Sequence, residues 1–321
     1  MKYMEKIMNK FQEETEINLL NLFDVCNYFQ LYFIDHDFTQ LSSNVYSVNK
    51  TSTTENIKEL INSNTNDEKK YITNQEIEKI LHFLSITPTE IKKCNGKEDF
   101  FIPINEREKR NERFDVKPLY LHNDDIFFSP ISIKNIHDMW FNGMLNFMLP
   151  YEVGLSETVS VILEWKKRYE NKMVCDIKEI FEKNEIKFVK INVELHKIDK
   201  KSGHPLDLGD YDVIAIDDVN RNMWIIESKV LNRVGSFFEM YIQQRNFFHN
   251  KKYDEKFQRR IDYMENNYKK ILKSYGYIDT TNYKIIPYMV FNKVMFSRYK
   301  KINFPIISIM ELDEIIKKER N

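Results

Sequence analysis

The residues of this chain best equipped for chemistry are three carboxylates and a lysine. They lie in Gly209-Asp210-Tyr211-Asp212-Val213-Ile214-Ala215-Ile216-Asp217 and, after a short polar turn, in Trp224-Ile225-Ile226-Glu227-Ser228-Lys229. Both segments are rich in the residues that favour pleated, buried backbone and read as strands. Side chains alternate along a strand, so Glu227 and Lys229 leave from one side, and Asp210 and Asp212 share a side of theirs. Unpaired buried charge is costly, so an otherwise apolar strand carries two charges on one face only where an ion or partner compensates them. A phosphodiester is an anion that water attacks poorly. Hard carboxylate oxygens beside an ammonium suit the hydrolysis of such an ester with the help of a divalent cation. Asp212, Glu227 and the Ser228 carbonyl are the candidate ligands for Mg²⁺ or Mn²⁺, which take few protein carboxylates and keep their waters; zinc does not suit this donor set. Lys229 would stand beside the attacking water.

The elements around these strands must bring them together. Residues 156–184 read as an amphipathic helix, in which Glu170 falls at helical spacing from Val174, Ile177 and Phe181, on the stripe expected to face a sheet. Ile186 to Leu195 alternates as a strand, and Asp217 to Asn222 is a hairpin turn between the two acid-bearing strands. A helix from Gly235 to about His249 carries Glu239, Gln243 and Gln244 within one turn. A second helix from Tyr253 to Ser274, strands Tyr283 to Phe291 and Phe304 to Ile309, and a closing helix complete the order αβββαβ with additions.

This order and these residues resemble the PD-(D/E)xK, or restriction-endonuclease-like, nucleases. In that family an Asp opens one strand, Glu-x-Lys ends the next, a Glu comes from the preceding helix and often a Gln from the following one. Asp212 matches the Asp, Glu227 and Lys229 the Glu-x-Lys, Glu170 the helical Glu and Gln243 the helical Gln; Tyr211 stands where the name-giving form has Pro. The resemblance implies an α/β fold with a mixed central sheet flanked by helices over residues 151–321. It also implies metal-dependent cleavage of nucleic acid, most readily DNA, in restriction, phage defence or a mobile element. Glu170 and Asp210 would complete a second metal's shell. Two other readings stay open: a nuclease-fold subunit without activity that binds nucleic acid or protein in a larger complex, and an RNA-directed nuclease.

Composition sets the frame. A net charge of −1 with 42% hydrophobic and 30% charged residues describes a chain with ample core and no general affinity for polyanions. Nucleic-acid contacts must then come from local basic groups: Lys197, Lys200 and Lys201, then Lys251, Lys252, Lys256, Arg259 and Arg260, then Lys293, Arg298, Lys300 and Lys301. Three scattered cysteines, Cys26, Cys94 and Cys175, argue against a disulfide framework or a Cys-based zinc site and read as ordinary core thiols. No glycine-rich loop is present to cradle a nucleotide phosphate, no apolar stretch is long enough to span a membrane, and a reducing cytoplasm is the expected setting. Residues 1–150 read as a mainly helical accessory region that selects the substrate or a partner, a second copy of the chain included. It begins with the helical run Glu16 to Phe33. A Ser/Thr/Asn-rich linker follows from about Ser42 to Asn66, and then two short helices, the second starting at Pro88, which read as a plain helical hairpin with a helix-turn-helix as the alternative. From Lys117 the pattern is strand, turn, strand, and Ser132 to Leu149 reads as a helix.

Overall fold

The computed structural model describes residues 2–32, 38–42, 44–64, 71–89, 116–149, 154–194, 208–232, 234, 237–295 and 302–320. The chain is mixed α/β and divides into two compact units, Met1–Trp165 with Asn232–Phe238 and Lys166–Leu231 with Glu239–Asn321. Each unit holds a mixed five-stranded sheet. Among the described residues no helix is long and apolar enough to cross a membrane.

In the first unit α1 (Lys2–Thr15), α2 (Leu19–Asn27), α3 (Lys50–Ser63), α4 (Asn74–Phe83) and α5 (Pro130–His137) accompany strands β1 (Thr39–Ser42), β2 (Val45–Asn49), β3 (Ser85–Ile86), β4 (Leu119–His122) and β5 (Asp125–Phe128). The strands order as β1-β2-β5-β4-β3. The region therefore holds a sheet beside the expected helices. The stretch read as a linker is instead a strand and a helix, because its polar residues serve as caps. Asn49 accepts from the Thr51 and Ser52 amides at the start of α3, and Ile57 and Ile61, one turn apart, are buried. After α4 the chain passes into β3, which pairs parallel with β4. The backbone turns helical again at Pro88 and Thr89, where the second short helix is expected to start, and the rest of that expected helix lies outside the described residues. Trp140 is fully buried, 5.9 Å from the Phe11 ring and 5.3 Å from the Phe83 ring.

Helix α6 (Ser156–Lys183) runs from one unit into the other. Its first turn belongs with α1: Glu14 accepts from the Glu157 amide at 3.0 Å, the Thr158 amide at 2.9 Å and the Thr158 hydroxyl at 2.7 Å. A side chain distant in sequence thus satisfies the amides left over at a helix start. The division of the chain falls between Trp165 and Lys166, inside this helix, and not ahead of it. Farther on, Met173, Val174, Ile177 and Phe181 are buried.

The second unit adds β6 (Phe188–Glu194), β7 (Asp210–Asp217), β8 (Asn222–Lys229), α7 (Phe237–Arg245), α8 (Tyr253–Ser274), β9 (Lys284–Phe291), β10 (Ile306–Ser308) and α9 (Ile309–Arg320). The sheet order is β10-β9-β8-β7-β6, antiparallel from β6 to β8 and parallel from β8 to β10. β7 and β8 are buried on both faces, as nearly continuous apolar strands should be. On one face Ile214, Ile216, Met223 and Ile225 pack with Phe257, Ile261 and Met264 of α8. Full burial of each such helix side chain is worth about 1.5–3 kcal/mol, which fixes α8 against this face. On the other face Trp224 meets Phe181 of α6 edge-on at 5.5 Å and stacks on Tyr288 at 5.8 Å.

Candidate functional site

The register of the two central strands builds the site. β7 and β8 pair from Asp217–Asn222 to Val213–Ile226, where their ladder ends, while β8 stays paired with β9 as far as Lys229–Phe291. The Ser228 amide is thereby left without a β7 carbonyl. The Asp212 carboxylate takes its place, its Oδ2 accepting from that amide at 2.6 Å. Asp212 continues the face of Ile214 and Ile216, and Glu227 and Lys229 continue the face of Met223 and Ile225, so all three side chains emerge on the side covered by α8.

They meet there. Lys229 Nζ lies 2.7 Å from Glu227 Oε1, 3.9 Å from Asp212 Oδ2 and 3.1 Å from the Ser228 carbonyl, to which it donates. Its ammonium also sits 5.1 Å from the centre of the Tyr253 ring, and the exposed Lys256 approaches the same ring at 5.9 Å. Glu227 is 3% exposed. Its second oxygen, Oε2, lies 2.6 Å from Arg260 NH2. That contact is a charge pairing out of line for a hydrogen bond, and it leaves Oε2 buried with no hydrogen-bond donor.

The charges act on one another. Burial, and after it the neighbouring Glu227 carboxylate, push the Asp212 pKa from 3.8 up to about 6, against the pull of Lys229, the Ser228 amide and Arg260. For Lys229 burial acts to lower the pKa, but Glu227 and Asp212 outweigh it and the ammonium is held above its ordinary range. A carboxylate whose proton affinity is raised by a second carboxylate beside it marks a place where added positive charge is welcome. The carboxylate oxygens of Asp212 and Glu227 and the Ser228 carbonyl are hard donors of the kind a divalent cation takes. Among the described residues no three His, Cys, Asp or Glu side chains gather closely enough to hold a metal, and the described carboxylates here are two.

The other expected residues are placed differently. Glu170 is exposed, in a stretch of α6 from residue 167 to 172 that is exposed all round, and its charge acts on Lys166 one turn earlier. It stands outside the cluster because α6 packs on the Trp224 face of the sheet, opposite the carboxylates, and the part of α6 that belongs to the second unit is buried only from Met173 onward. Gln243 is half-buried on α7. Asp210 is exposed at the start of β7, and its carbonyl accepts from Arg260 NH1 at 2.9 Å. Lys251, Lys252 and Arg259 are exposed, as phosphate contacts must be. Arg260 is not: it is 7% exposed and belongs to the site interior. The signal lay in α8 itself, where Phe257, Ile261 and Met264 mark a buried stripe that also contains position 260. Lys197, Lys200, Lys201, Gly235, Arg298, Lys300, Lys301 and Cys94 lie outside the described residues. Cys26 is buried, with its thiol pushed up to about 12 by burial, whereas Cys175 is exposed and is no core thiol.

No protein-family model, curated protein or solved structure matches the chain.

Proposed function

We propose that the second unit is a restriction-endonuclease-like domain that hydrolyses phosphodiester bonds with Mg²⁺ or Mn²⁺, DNA being the leading substrate. The observation that carries this reading is the pair of carboxylates, Asp212 and Glu227, set on one face at the open end of two strands and sharing the ammonium of Lys229. The succession of α6, three antiparallel strands, helices and a parallel strand supports it. Bound there, the cation would supply an activated water and neutralise the phosphate. Asp212, Glu227 and the Ser228 carbonyl would hold it. Lys229, kept protonated by its two acidic neighbours, serves as a fixed positive charge and hydrogen-bond donor towards the reacting phosphate and not as a general base. Lys251, Lys252, Lys256 and Arg259 offer sequence-independent attraction for the backbone phosphates. The first unit would then choose the substrate or partner.

The test is digestion of single-stranded DNA, duplex DNA and RNA by the full chain with Mg²⁺, Mn²⁺ or EDTA, beside Asp212→Ala and Glu227→Ala. Cleavage that needs the metal and both carboxylates is expected, with Ca²⁺ inhibiting because it tolerates looser geometry. Cleavage that survives EDTA or either substitution would refute the reading. One observation favours a second reading, that of a nuclease-fold subunit without activity: Asp212 and Glu227 against Lys229 and Arg260 give two negative and two positive charges, a cluster already balanced. That reading predicts that all three substrates are bound or ignored and none is cut.

A further inference from the structure

Arg260 is a residue of this site that its chemistry does not yet use, and it is tied to two strands and to its own helix. NH2 meets Glu227 Oε2 at 2.6 Å, NH1 donates to the Asp210 carbonyl at 2.9 Å, and its own backbone carbonyl accepts from the Tyr211 hydroxyl at 2.6 Å. The guanidinium carbon lies 5.7 Å from the centre of the Phe257 ring. The chain at Gly209, in the left-handed region at φ +72, passes so near that a β-carbon there would come to 3.4 Å from NH1.

We propose that Arg260 is a positioning residue: it fixes the plane of the Glu227 carboxylate and the start of β7 relative to each other, so that Glu227 and Asp212 present their oxygens to one divalent cation. The inference rests on the metal-assisted reading of the site. Glu227 already has a counter-charge in Lys229, which grips Oε1 alone and leaves the carboxylate free to turn about its last bond. A second cation on Oε2, from a different element, removes that freedom. A lysine could reach Glu227 or the Asp210 carbonyl, but the planar fork of arginine reaches both at once. Groups that hold a ligating carboxylate in this way matter to the ion: their loss costs about 10–100-fold in metal affinity.

The experiment is calorimetric titration of Mn²⁺ alone into the full chain, for wild type, Arg260→Lys and Arg260→Gln, with the melting temperature of each. The lysine variant keeps the charge and the glutamine variant keeps a donor for Asp210. Should one fail to fold, the other carries the test. Mn²⁺ binding weakened about 10–100-fold in a variant that melts near wild type is expected. Binding as tight as wild type, or tighter, would overturn the proposal and make Arg260 a counter-charge that competes with the ion. Wild-type protein that binds no Mn²⁺ would remove the underlying reading and the proposal with it, an outcome distinct from a wild type that binds and a variant that binds equally.

Discussion

The hairpin of β7 and β8 has a charged cluster at each end, and the two are built to opposite rules. At the turn, one buried carboxylate, Asp217, accepts from Arg320 Nε at 2.9 Å and from the Asn220 side chain at 2.8 Å. Arg320 also donates to the Asn184 carbonyl, and Asn184 donates to Asp313 at 2.7 Å. One acid faces one arginine, and α9 is pinned to the end of α6. At the open end two carboxylates face each other, one is pushed up to about 6, and both lie against the single ammonium of Lys229. A cluster that only holds a fold has no need to bring like charges together. The turn end is a fastening, and the open end keeps capacity for a ligand.

The largest effect expected at the fastening is on stability. Arg320→Met strips Asp217 of its ionic partner, and breaking a buried pair costs about 3 kcal/mol. Chemical denaturation should show that loss while the cleavage rate of the folded protein stays at the wild-type level. A fall in rate with stability intact would erase the contrast between the two ends.

At the open end the pH dependence should carry the mark of Asp212. Its folded pKa of about 6 lies above the ordinary 3.8 of the unfolded chain, so the folded state holds the proton more tightly. The resulting stability is fully present below about pH 4 and is lost as pH rises through about 6, a contribution on the order of 1–3 kcal/mol. Wild type should therefore lose more stability than Asp212→Asn between pH 5 and pH 7, and Mn²⁺ binding to wild type should strengthen over the same range. Parallel stability curves for the two proteins would show that Asp212 titrates in its ordinary range.

The smallest effect concerns the surface around the site. Neutralising Lys251, Lys252 and Arg259 together should reduce the slope of log affinity against log salt by about 0.9 per phosphate contact removed. Arg260 belongs to the interior and has no share in that slope. An unchanged slope would place the nucleic-acid face on other residues.

Much of this contrast was legible in the sequence and part of it was not. Strand periodicity put Glu227 and Lys229 on one face and paired them with Asp212, because alternation along a strand is a local property that register only completes. The elements of the second unit follow their patterns closely, since β7 and β8 are apolar throughout and α8 is amphipathic. Glu170 misled because helical spacing from Val174 and Ile177 locates a stripe but not where along the helix the sheet begins to cover it. Arg260 misled in the opposite way, as its charge outweighed its place in the Phe257-Ile261-Met264 stripe. In the first unit Ser, Thr and Asn around residues 42–66 read as linker because the same side chains that favour loops also cap helices, as Asn49 does. In the sheet there the strand, turn and strand after Lys117 were legible as the local β4–β5 hairpin, whereas the pairings of β5 with β2 and of β4 with β3 join segments distant in sequence and leave little local trace.

The most direct test exchanges one carboxylate for its amide at each end, Asp212→Asn and Asp217→Asn, and measures melting temperature and Mn²⁺-dependent DNA cleavage for both. The account predicts that Asp212→Asn melts at or above wild type and no longer cuts, because it relieves a crowded pair of acids and removes a ligand. It predicts that Asp217→Asn melts lower and still cuts. An Asp212→Asn protein that melts lower while cutting as wild type does would contradict the account, for both ends of the hairpin would then be fastenings.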